Sequence, residues 1–297
     1  MSEATSFSAD KLYLPQPIID EAVLSALKED LGLAGDITTL ATIPDTAHAK
    51  AVIAARDAGV ISGIPLADSA FRQIGKWHGE IVTFSPQMED GTEVGKGDVV
   101  ARIFGPARLV LSAERIALNF MGRMSGIATA THEFVQLTEG TKAKVTCTRK
   151  TTPGLRAFEK YAVKCGGGSN HRFGLDDAIL IKDNHIAVAG SVTEAIRRSR
   201  EYVGHLVKVE VEVDTIEQLR EAIAAKPDVI MLDNMGPDKL REALAIMEGT
   251  GIISEASGGV NPDTIRAVAQ TGVDYISAGY ITHSAPNFDL GLDISVS

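Results

Sequence analysis

The sequence predicts an α/β protein in which a smaller mixed domain precedes an incomplete parallel β/α barrel. Three observations lead to this fold class. Short β-type runs punctuated by Gly and Asp occupy residues 49–105, strand-like and helix-like segments alternate regularly from residue 144 onward, and polar residues follow nearly every one of the later strands. Alternating strands and helices with short connections are typical of a parallel sheet.

The composition indicates a globular chain of one or two domains. The 297 residues are 44% hydrophobic and 23% charged, which is ample for a packed core. With 29 basic and 39 acidic residues, the net charge of −10 argues against general affinity for nucleic acid or anionic membranes. Two cysteines are too few for a disulfide framework. Because no apolar run approaches the roughly 18 residues of a membrane helix, we expect a soluble cytoplasmic protein.

The first third of the chain is expected to mix helix with an antiparallel or mixed sheet. Residues 18–32 space apolar side chains at helical intervals, and residues 30–39 resemble a turn rich in Gly and Asp. The β-type runs follow. Residues 109–139 return to a helical pattern that is interrupted near Gly122 and Gly126, and we expect this segment to bridge the two domains.

Six strand-like segments define the second domain, and they cover residues 144–150, 178–182, 207–214, 229–233, 252–259 and 274–279. Helix start signals support the alternation: Ser191 and Glu194 form a capping box, and Asn261 precedes Pro262 at a first helical position. A doubly wound dinucleotide fold should open with a glycine-rich strand-to-helix turn, which this chain does not show at its first strand. A barrel instead brings all strand ends to one mouth, and six strands predict an incomplete one.

A set of basic side chains lies in or beside segments that the barrel would bring together. It comprises Arg115, Arg149, Lys150, His171, Arg172 and Lys182. Guanidinium groups match carboxylates and phosphates bidentately and lysine adds a compact charge, so the set suits a substrate with several anionic groups. For any single member the alternative is a solvated surface ion pair. The glycine-rich loop 166–172 favours binding, because a plain linker would need neither His171 nor Arg172.

The roles of Lys182 and of two carboxylates stay open at this level. Lys182 follows an apolar strand, where it is either a Schiff-base nucleophile or the partner of Glu212 or Asp233. Glu212 and Asp233 end successive strands and could accept ribose hydroxyls, hold hydrated Mg²⁺ or neutralise the lysines. We expect the flanking Glu210 and Asp214 to point away from Glu212 and to lie outside the pocket.

Glycine-bearing segments follow the last two strands, where barrels often bind phosphate through backbone N–H groups. The residues concerned are Ser257, Gly258, Gly259, Ser277 and Gly279. Since a glycine after a strand usually marks only a turn, their position in the barrel is the main support for a phosphate site. Cys147 and Cys165 are expected to be packing residues.

Longer motifs, in a fixed order, resemble one known family. They include TRKTTPGLR at 148–156, NHRFGL at 170–175 and LIKDNH at 180–185, together with residues 29–32, 35–39, 112–115, 231–234 and 282–284. These motifs span almost the full chain and are similar to those of the quinolinate phosphoribosyltransferases, also called carboxylating nicotinate-nucleotide pyrophosphorylases.

The resemblance implies a two-domain architecture and a dimer. It implies an N-terminal α/β sandwich domain over residues 1–117, which residues 285–297 rejoin, and an incomplete α/β barrel domain of the phosphoribosyltransferase type over residues 118–284. It also implies a homodimer in which Arg115 is donated across the interface to the partner's active site.

The reaction implied by this resemblance joins quinolinate to phosphoribosyl pyrophosphate with Mg²⁺, giving nicotinate mononucleotide, pyrophosphate and CO₂ in de novo NAD synthesis. The quinolinate side would be lined by Arg115, Arg149, His171, Arg172 and Lys182. The phosphoribosyl side would contain Lys150, Glu212 and Asp233, which are the expected catalytic residues. Glu212 and Asp233 would also hold the metal, directly or through water, and Ser257, Gly258, Gly259 and Gly279 would surround the 5-phosphate.

Three other functions are compatible with the sequence. They are a nicotinate phosphoribosyltransferase, which does not decarboxylate, a Schiff-base aldolase that uses Lys182, and a non-catalytic anion-binding paralogue of the kind associated with molybdate transport. The intact set of cations and carboxylates favours an enzyme. Tyr280 departs from the family pattern, which often has a small residue there, and the departure concerns only the phosphate loop.

Overall fold

The computed structural model describes residues 13–296, which form two compact units. The described part of the first unit contains residues 13–130, 157–167 and 285–296, and the second contains residues 131–156 and 168–284. The first unit thus extends beyond the predicted limit at 117 and includes a segment from within the predicted barrel domain. Residues 1–12 and 297 of the predicted domains lie outside the described residues.

The helices and strands alternate along most of the chain. The first half contains α1 (Gln16–Leu31), α2 (Ile37–Thr42), β1 (His48–Ala55), β2 (Gly59–Val60), α3 (Ile64–His78), β3 (Thr83–Pro86), β4 (Glu93–Val94), β5 (Val99–Pro106), α4 (Ala107–Leu137) and β6 (Lys144–Thr146). The second half contains α5 (Arg156–Cys165), β7 (Ile179–Ile181), α6 (Asp183–Ala189), α7 (Val192–Tyr202), β8 (Val209–Val213), α8 (Ile216–Ala225), β9 (Val229–Asp233), α9 (Pro237–Met247), β10 (Ile253–Ser257), α10 (Ile265–Ala269), β11 (Tyr275–Ser277), α11 (Tyr280–His283) and β12 (Leu290–Val296). Among residues 13–296, no helix has the length and apolar character needed to cross a membrane.

The first unit contains a four-stranded antiparallel sheet. Its order is β12-β1-β5-β3, and β2 pairs separately with β4 in the antiparallel sense. The prediction of an antiparallel or mixed sheet is therefore confirmed. The predicted first helix is also confirmed as α1, which packs on α3 and buries Ile19, Val23 and Leu27 at a four-residue spacing.

Helix α3 lies between two β-type runs and was not predicted. Its start carries Pro65 in the first turn, and Gly79 ends it with a φ of 67°. The Asp90 carboxylate accepts the backbone N–H groups of Gly63 and Ile64 at 3.1 and 3.0 Å. A carboxylate at this position satisfies N–H groups that have no partner within the helix, so Asp90 stabilises the helix start from a distant loop.

Helix α4 is continuous, so the predicted interruption near Gly122 and Gly126 is wrong. The two glycines instead allow the C-terminal segment to approach the helix closely. The Phe288 N–H donates to the Gly122 carbonyl oxygen at 2.9 Å, and a Cβ at Gly126 would collide with the Pro286 carbonyl oxygen. The glycines are therefore retained for close packing within a helix rather than for breaking it.

Helix α5 follows β6 in sequence but belongs mainly to the first unit. Within that unit the Tyr161 hydroxyl donates to Asp90 at 2.9 Å, and Arg123 of α4 pairs with the fully buried Glu159 at 2.8 Å. Cys165 ends the helix among buried side chains, and burial raises the pKa of its thiol to about 12. The packing role expected for this cysteine agrees with its burial.

The second unit contains six parallel strands in the order β6-β11-β10-β9-β8-β7. Each of the six predicted strands is present. The outermost strands, β6 and β7, are consecutive along the chain but are not paired with each other. The prediction of an incomplete β/α barrel is confirmed. Helix α5, which lies between β6 and β7 in sequence, belongs mainly to the first unit.

Two predicted helix starts are only partly observed. The Ser191 hydroxyl accepts the Glu194 N–H at 3.1 Å, which is one half of the expected capping box. Helix α10 begins at Ile265 rather than next to Asn261. The Asn261 side chain accepts the Thr264 N–H at 3.2 Å and so closes a turn that precedes the helix.

Candidate active site

A cavity of about 720 Å³ lies within the second unit, at the carboxyl ends of its strands. Twelve predicted site residues line it: Arg149, Lys150, His171, Arg172, Lys182, Glu212, Asp233, Ser257, Gly258, Gly259, Ser277 and Gly279. In a β/α barrel this end of the strands carries the active site. Arg115 is not among the lining residues. It lies on α4 in the first unit, and its side chain is exposed.

Two arginines form a cationic wall of the cavity. Arg149 follows β6, and Arg172 is held in its loop by a hydrogen bond of 3.1 Å from Nη1 to the Ala178 carbonyl oxygen. Burial, and then repulsion from Arg149, lowers the pKa of Arg172. The buried Nε atoms of both arginines have no hydrogen-bond partner among residues 13–296. Two adjacent guanidiniums with unused donors are suited to bind an anion.

His171 lies beside two buried carboxyl groups. Its Nε2 is 2.9 Å from Glu210 Oε2 and 3.6 Å from Glu255 Oε1. Burial, together with the nearby negative charge of Glu210, raises the pKa of Glu255 to about 7. The carboxyl of Glu255 also lines the cavity, although it was not among the predicted site residues.

Lys182 is ion-paired. Its Nζ lies 2.6 Å from Glu212 Oε2, with the lysine side chain 46% and the glutamate side chain 11% exposed. This contact is the one predicted by the structural alternative to a Schiff base. A lysine whose amine is paired with a carboxylate is a poor nucleophile. The pair of Lys182 with Glu212 therefore argues against the aldolase function.

Three carboxylates converge near the ends of β8 and β9. Glu212, Asp214 and Asp233 each place one oxygen within 4.8 Å of the others. The predicted opposite orientation of Glu210 and Asp214 is wrong, because side chains two residues apart on a strand point to the same face. Neither residue lines the cavity, but Glu210 reaches His171 and Asp214 reaches the other two carboxylates.

The loop after β10 depends on close backbone packing. Gly258 has a φ of 96°, and a Cβ there would collide with the side chain of Asn234. The Asn234 N–H donates to the Ser257 carbonyl oxygen at 2.9 Å, and its side chain donates to Asp233. Asn234 therefore connects the loop at Gly258 to the carboxylate of Asp233. Because Asn234 lies so close, only glycine fits at position 258.

The loop after β11 lies against Lys150. A Cβ at Gly279 would come within 3.0 Å of both the Lys150 side chain and the His283 ring. The Thr282 hydroxyl donates to the Lys150 carbonyl oxygen at 2.8 Å, which holds the lysine backbone in place. The ring of Tyr280 stacks on Phe134 at a centroid distance of 5.5 Å, so this larger residue is accommodated by packing.

Eight lining residues were not predicted for the site: Thr148, Leu180, Met231, Asn234, Glu255, Val260, Tyr280 and His283. Glu255 is one of the polar residues near the ends of the predicted strands, which the sequence places at the barrel mouth, but no role in the site was predicted for it. His283 lies in one of the family motifs, but the sequence contains no signal that this motif reaches the cavity. Leu180 and Met231 supply apolar surface that a charge-based search does not detect.

Family models match both units. The model described as "Quinolinate phosphoribosyl transferase, N-terminal domain" matches residues 36–125, and the corresponding C-terminal domain model matches residues 127–293. A curated relative from Bacillus subtilis, the "Probable nicotinate-nucleotide pyrophosphorylase [carboxylating]", is 45% identical over 269 residues and covers 91% of each chain.

Solved structures agree with these matches. The crystal structure of NadC from Streptococcus pyogenes superimposes with a TM-score of 0.91 at 40% identity, covering 96% of this chain and 99% of that one. The nicotinate-nucleotide pyrophosphorylase from Francisella tularensis has a TM-score of 0.90 at 37% identity, covering 97% and 100% of the two chains. The chain therefore belongs to the quinolinate phosphoribosyltransferase family.

Proposed function

We propose that this chain is a cytoplasmic pentosyltransferase that transfers the phosphoribosyl group of phosphoribosyl pyrophosphate to quinolinate, with loss of CO₂, in de novo NAD synthesis. The observation that carries the proposal is the pair of Arg149 and Arg172 in the cavity wall, with buried Nε donors that have no partner in the described chain. The names of the relatives support the same reaction.

A dicarboxylate suits the cationic wall better than a monocarboxylate. Burial, and then repulsion between the two guanidiniums, lowers the pKa of Arg172, and a carboxylate bound between them would relieve this repulsion. Lys182 also lines the cavity, where its ammonium is already paired with Glu212. Nicotinate, with one carboxylate, would leave part of the positive charge of the two guanidiniums uncompensated, whereas the second carboxylate of quinolinate would offset it. The cationic wall therefore favours quinolinate over nicotinate as the substrate.

The phosphoribosyl group fits on the other side of the cavity. Gly258, Gly259 and Gly279 line this side, and their backbone N–H groups would suit a phosphate. Lys150, beside Gly279, would stabilise the negative charge of the diphosphate as it leaves. The ammonium of Lys150 would then lie where negative charge develops on the diphosphate during the reaction.

Mg²⁺ is the cofactor that fits the three carboxylates of Glu212, Asp214 and Asp233. Magnesium prefers oxygen ligands and usually binds through one or two carboxylates together with substrate phosphates. Glu212 and Asp233 would hold it directly or through water, and the nearby Asp214 adds a third oxygen within 4.8 Å of theirs. When bound, the ion would supply further neutralisation of the diphosphate charge.

The protein groups act mainly by positioning the reactants and by stabilising charge. As the bond between the ribose and the diphosphate breaks, a carboxylate of Glu212 or Asp233 offsets the positive charge that grows on the ribose. The pyridine nitrogen attacks the ribose carbon and becomes cationic. That nitrogen then stabilises the electron pair left on the adjacent carbon when CO₂ departs, and the carbon takes up a proton.

A direct assay tests this function. Purified protein is mixed with phosphoribosyl pyrophosphate, Mg²⁺ and quinolinate labelled in its 2-carboxylate, and labelled CO₂ is followed together with mononucleotide. We expect equal amounts of both products and no reaction after chelation of Mg²⁺. Turnover of nicotinate without quinolinate would instead identify the non-decarboxylating enzyme, and no turnover of either would identify a binding protein.

We propose that the active form is a homodimer in which Arg115 enters the cavity of the partner. Two features support this: Arg115 is exposed on α4, and it does not line the cavity of its own chain. A guanidinium from the partner would add a further donor for the dicarboxylate.

Mixing two inactive variants tests the shared site. Arg115→Ala and Lys150→Met are each expected to be nearly inactive, whereas dimers reassembled from an equal mixture should recover about one quarter of wild-type activity, because half of them are mixed and each mixed dimer keeps one intact site. A mixture as inactive as its parents would exclude the donation of Arg115.

A further inference from the structure

Glu210 lies beside the candidate site and contacts His171, which lines the cavity. It lies on β8, is 7% exposed and does not line the cavity. Its Oε2 is 2.9 Å from His171 Nε2, and the side chains of both residues are about nine-tenths buried. A buried carboxylate aimed at a ring of the active site is typical of a group that orients that ring.

The hydrogen bonds around His171 define its tautomer. The backbone N–H of Arg172 donates to His171 Nδ1 at 2.9 Å. Because an amide N–H is always a donor, Nδ1 must be an acceptor and carries no proton. The proton of the neutral ring is therefore on Nε2, which donates it to Glu210. Glu255 lies 3.6 Å from the same Nε2, beyond hydrogen-bond distance, so Glu210 is the acceptor.

The ring links Glu210 to the cationic wall. His171 Nε2 is held by Glu210, and Nδ1 holds the amide of Arg172, the residue whose guanidinium faces the cavity. Arg172 is also held by a second hydrogen bond, from its Nη1 to the Ala178 carbonyl oxygen. A shift of the His171 ring would therefore displace the backbone that carries Arg172.

We propose that Glu210 is a positioning residue of the dicarboxylate site, which fixes His171 as the Nε2–H tautomer and thereby sets the position of Arg172. The proposal rests on the proposed function for the identity of the dicarboxylate. In this proposal His171 is a neutral residue that forms hydrogen bonds within the protein and not a cation that binds the substrate. Both of its ring nitrogens are already engaged, by Glu210 and by the Arg172 amide.

Two substitutions of Glu210 separate positioning from charge. Glu210→Ala removes the acceptor of Nε2–H, and we expect the KM for quinolinate to rise about tenfold, with little change in the KM for phosphoribosyl pyrophosphate. Glu210→Gln keeps a carbonyl oxygen that can accept the same proton, so its KM for quinolinate should stay near the wild-type value. A Gln variant as impaired as the Ala variant would overturn the proposal.

A double substitution tests whether Glu210 acts through His171. In a His171→Ala background, Glu210→Ala should cause no further rise in KM, because the ring that transmits its effect is gone. Independent, multiplying effects of the two substitutions would contradict the inference. The control is Asp274→Asn, which alters a carboxylate just before β11 that accepts the Ser254 N–H at 2.9 Å and does not line the cavity. Its KM values should match those of the wild type.

Nitrogen NMR of the histidines provides a readout that does not depend on turnover. The wild type and Glu210→Gln should show the His171 ring as the neutral Nε2–H form, and Glu210→Ala should show exchange between tautomers. If the wild type carried its proton on Nδ1, the inference would fail whatever the enzyme activity. If quinolinate were not turned over but the tautomer were as stated, only the proposed function would fail.

Discussion

Replacing Lys150 with Met is expected to lower kcat by about 100- to 1000-fold, the usual cost of removing one group that stabilises charge in a transition state. The substitution keeps the apolar stem beside Gly279 and removes only the ammonium. The backbone of residue 150 remains held by Thr282, and the side chain is exposed, so the melting temperature should not change. Steady-state rates with quinolinate and phosphoribosyl pyrophosphate measure the effect.

The control applies the same change to another exposed lysine of this unit. Lys208 precedes β8 and pairs with Asp228 at 3.0 Å, and it is not part of the cavity lining. Lys208→Met should therefore turn over at the wild-type rate. Wild-type turnover by Lys150→Met as well would remove Lys150 from the phosphoribosyl side.

Replacing Glu159 with Ala is expected to lower the free energy of unfolding of the first unit by about 3–5 kcal/mol, the usual cost of removing one partner of a buried ion pair. The Glu159 side chain is 1% exposed, and one of its oxygens accepts two N–H groups of Arg123, at 2.8 and 3.0 Å. The substitution leaves this guanidinium, itself only 23% exposed, without its carboxylate.

Tryptophan fluorescence in urea can follow this unit selectively. The chain has a single tryptophan, Trp77, which lies in α3 of the same unit. Asp293→Ala is the control, because it removes a carboxylate of the same unit whose pair with Arg56 is short, at 2.6 Å, but whose side chain is 58% exposed. Such a pair contributes about 0–1 kcal/mol. An unfolding midpoint of Glu159→Ala equal to that of the control would contradict the expected cost.

Local sequence patterns were sufficient to predict those parts of the fold that depend on residues close together in the chain. The six strands of the barrel are short apolar runs with polar ends, and parallel strand order then places those ends at one mouth. Twelve of the predicted site residues were found together for this reason. Even the error over Glu210 was avoidable, since strand periodicity alone puts it on the same face as Glu212. Helix α3 could also have been found from Pro65 and Gly79.

The features that the sequence did not reveal depend on distant contacts. The helical pattern of α5 is clear, but nothing in it indicates that the helix packs in the first unit through Tyr161 and Glu159. Gly126 carries the signature of a helix interruption, and only the nearby Pro286 explains why a glycine is kept there. The contact of Glu210 with His171 joins residues 39 positions apart, and no local pattern encodes it.

The position of β12 at the edge of the first sheet has a consequence for protein synthesis. Because β12 pairs with β1, the last of the described strands completes a sheet whose other strands lie within residues 48–106. Until residues 290–296 emerge, one edge of β1 presents unpaired backbone groups, which favours pairing with other chains. A stop codon just before residue 290 would thus leave every barrel strand intact and still yield an aggregation-prone product.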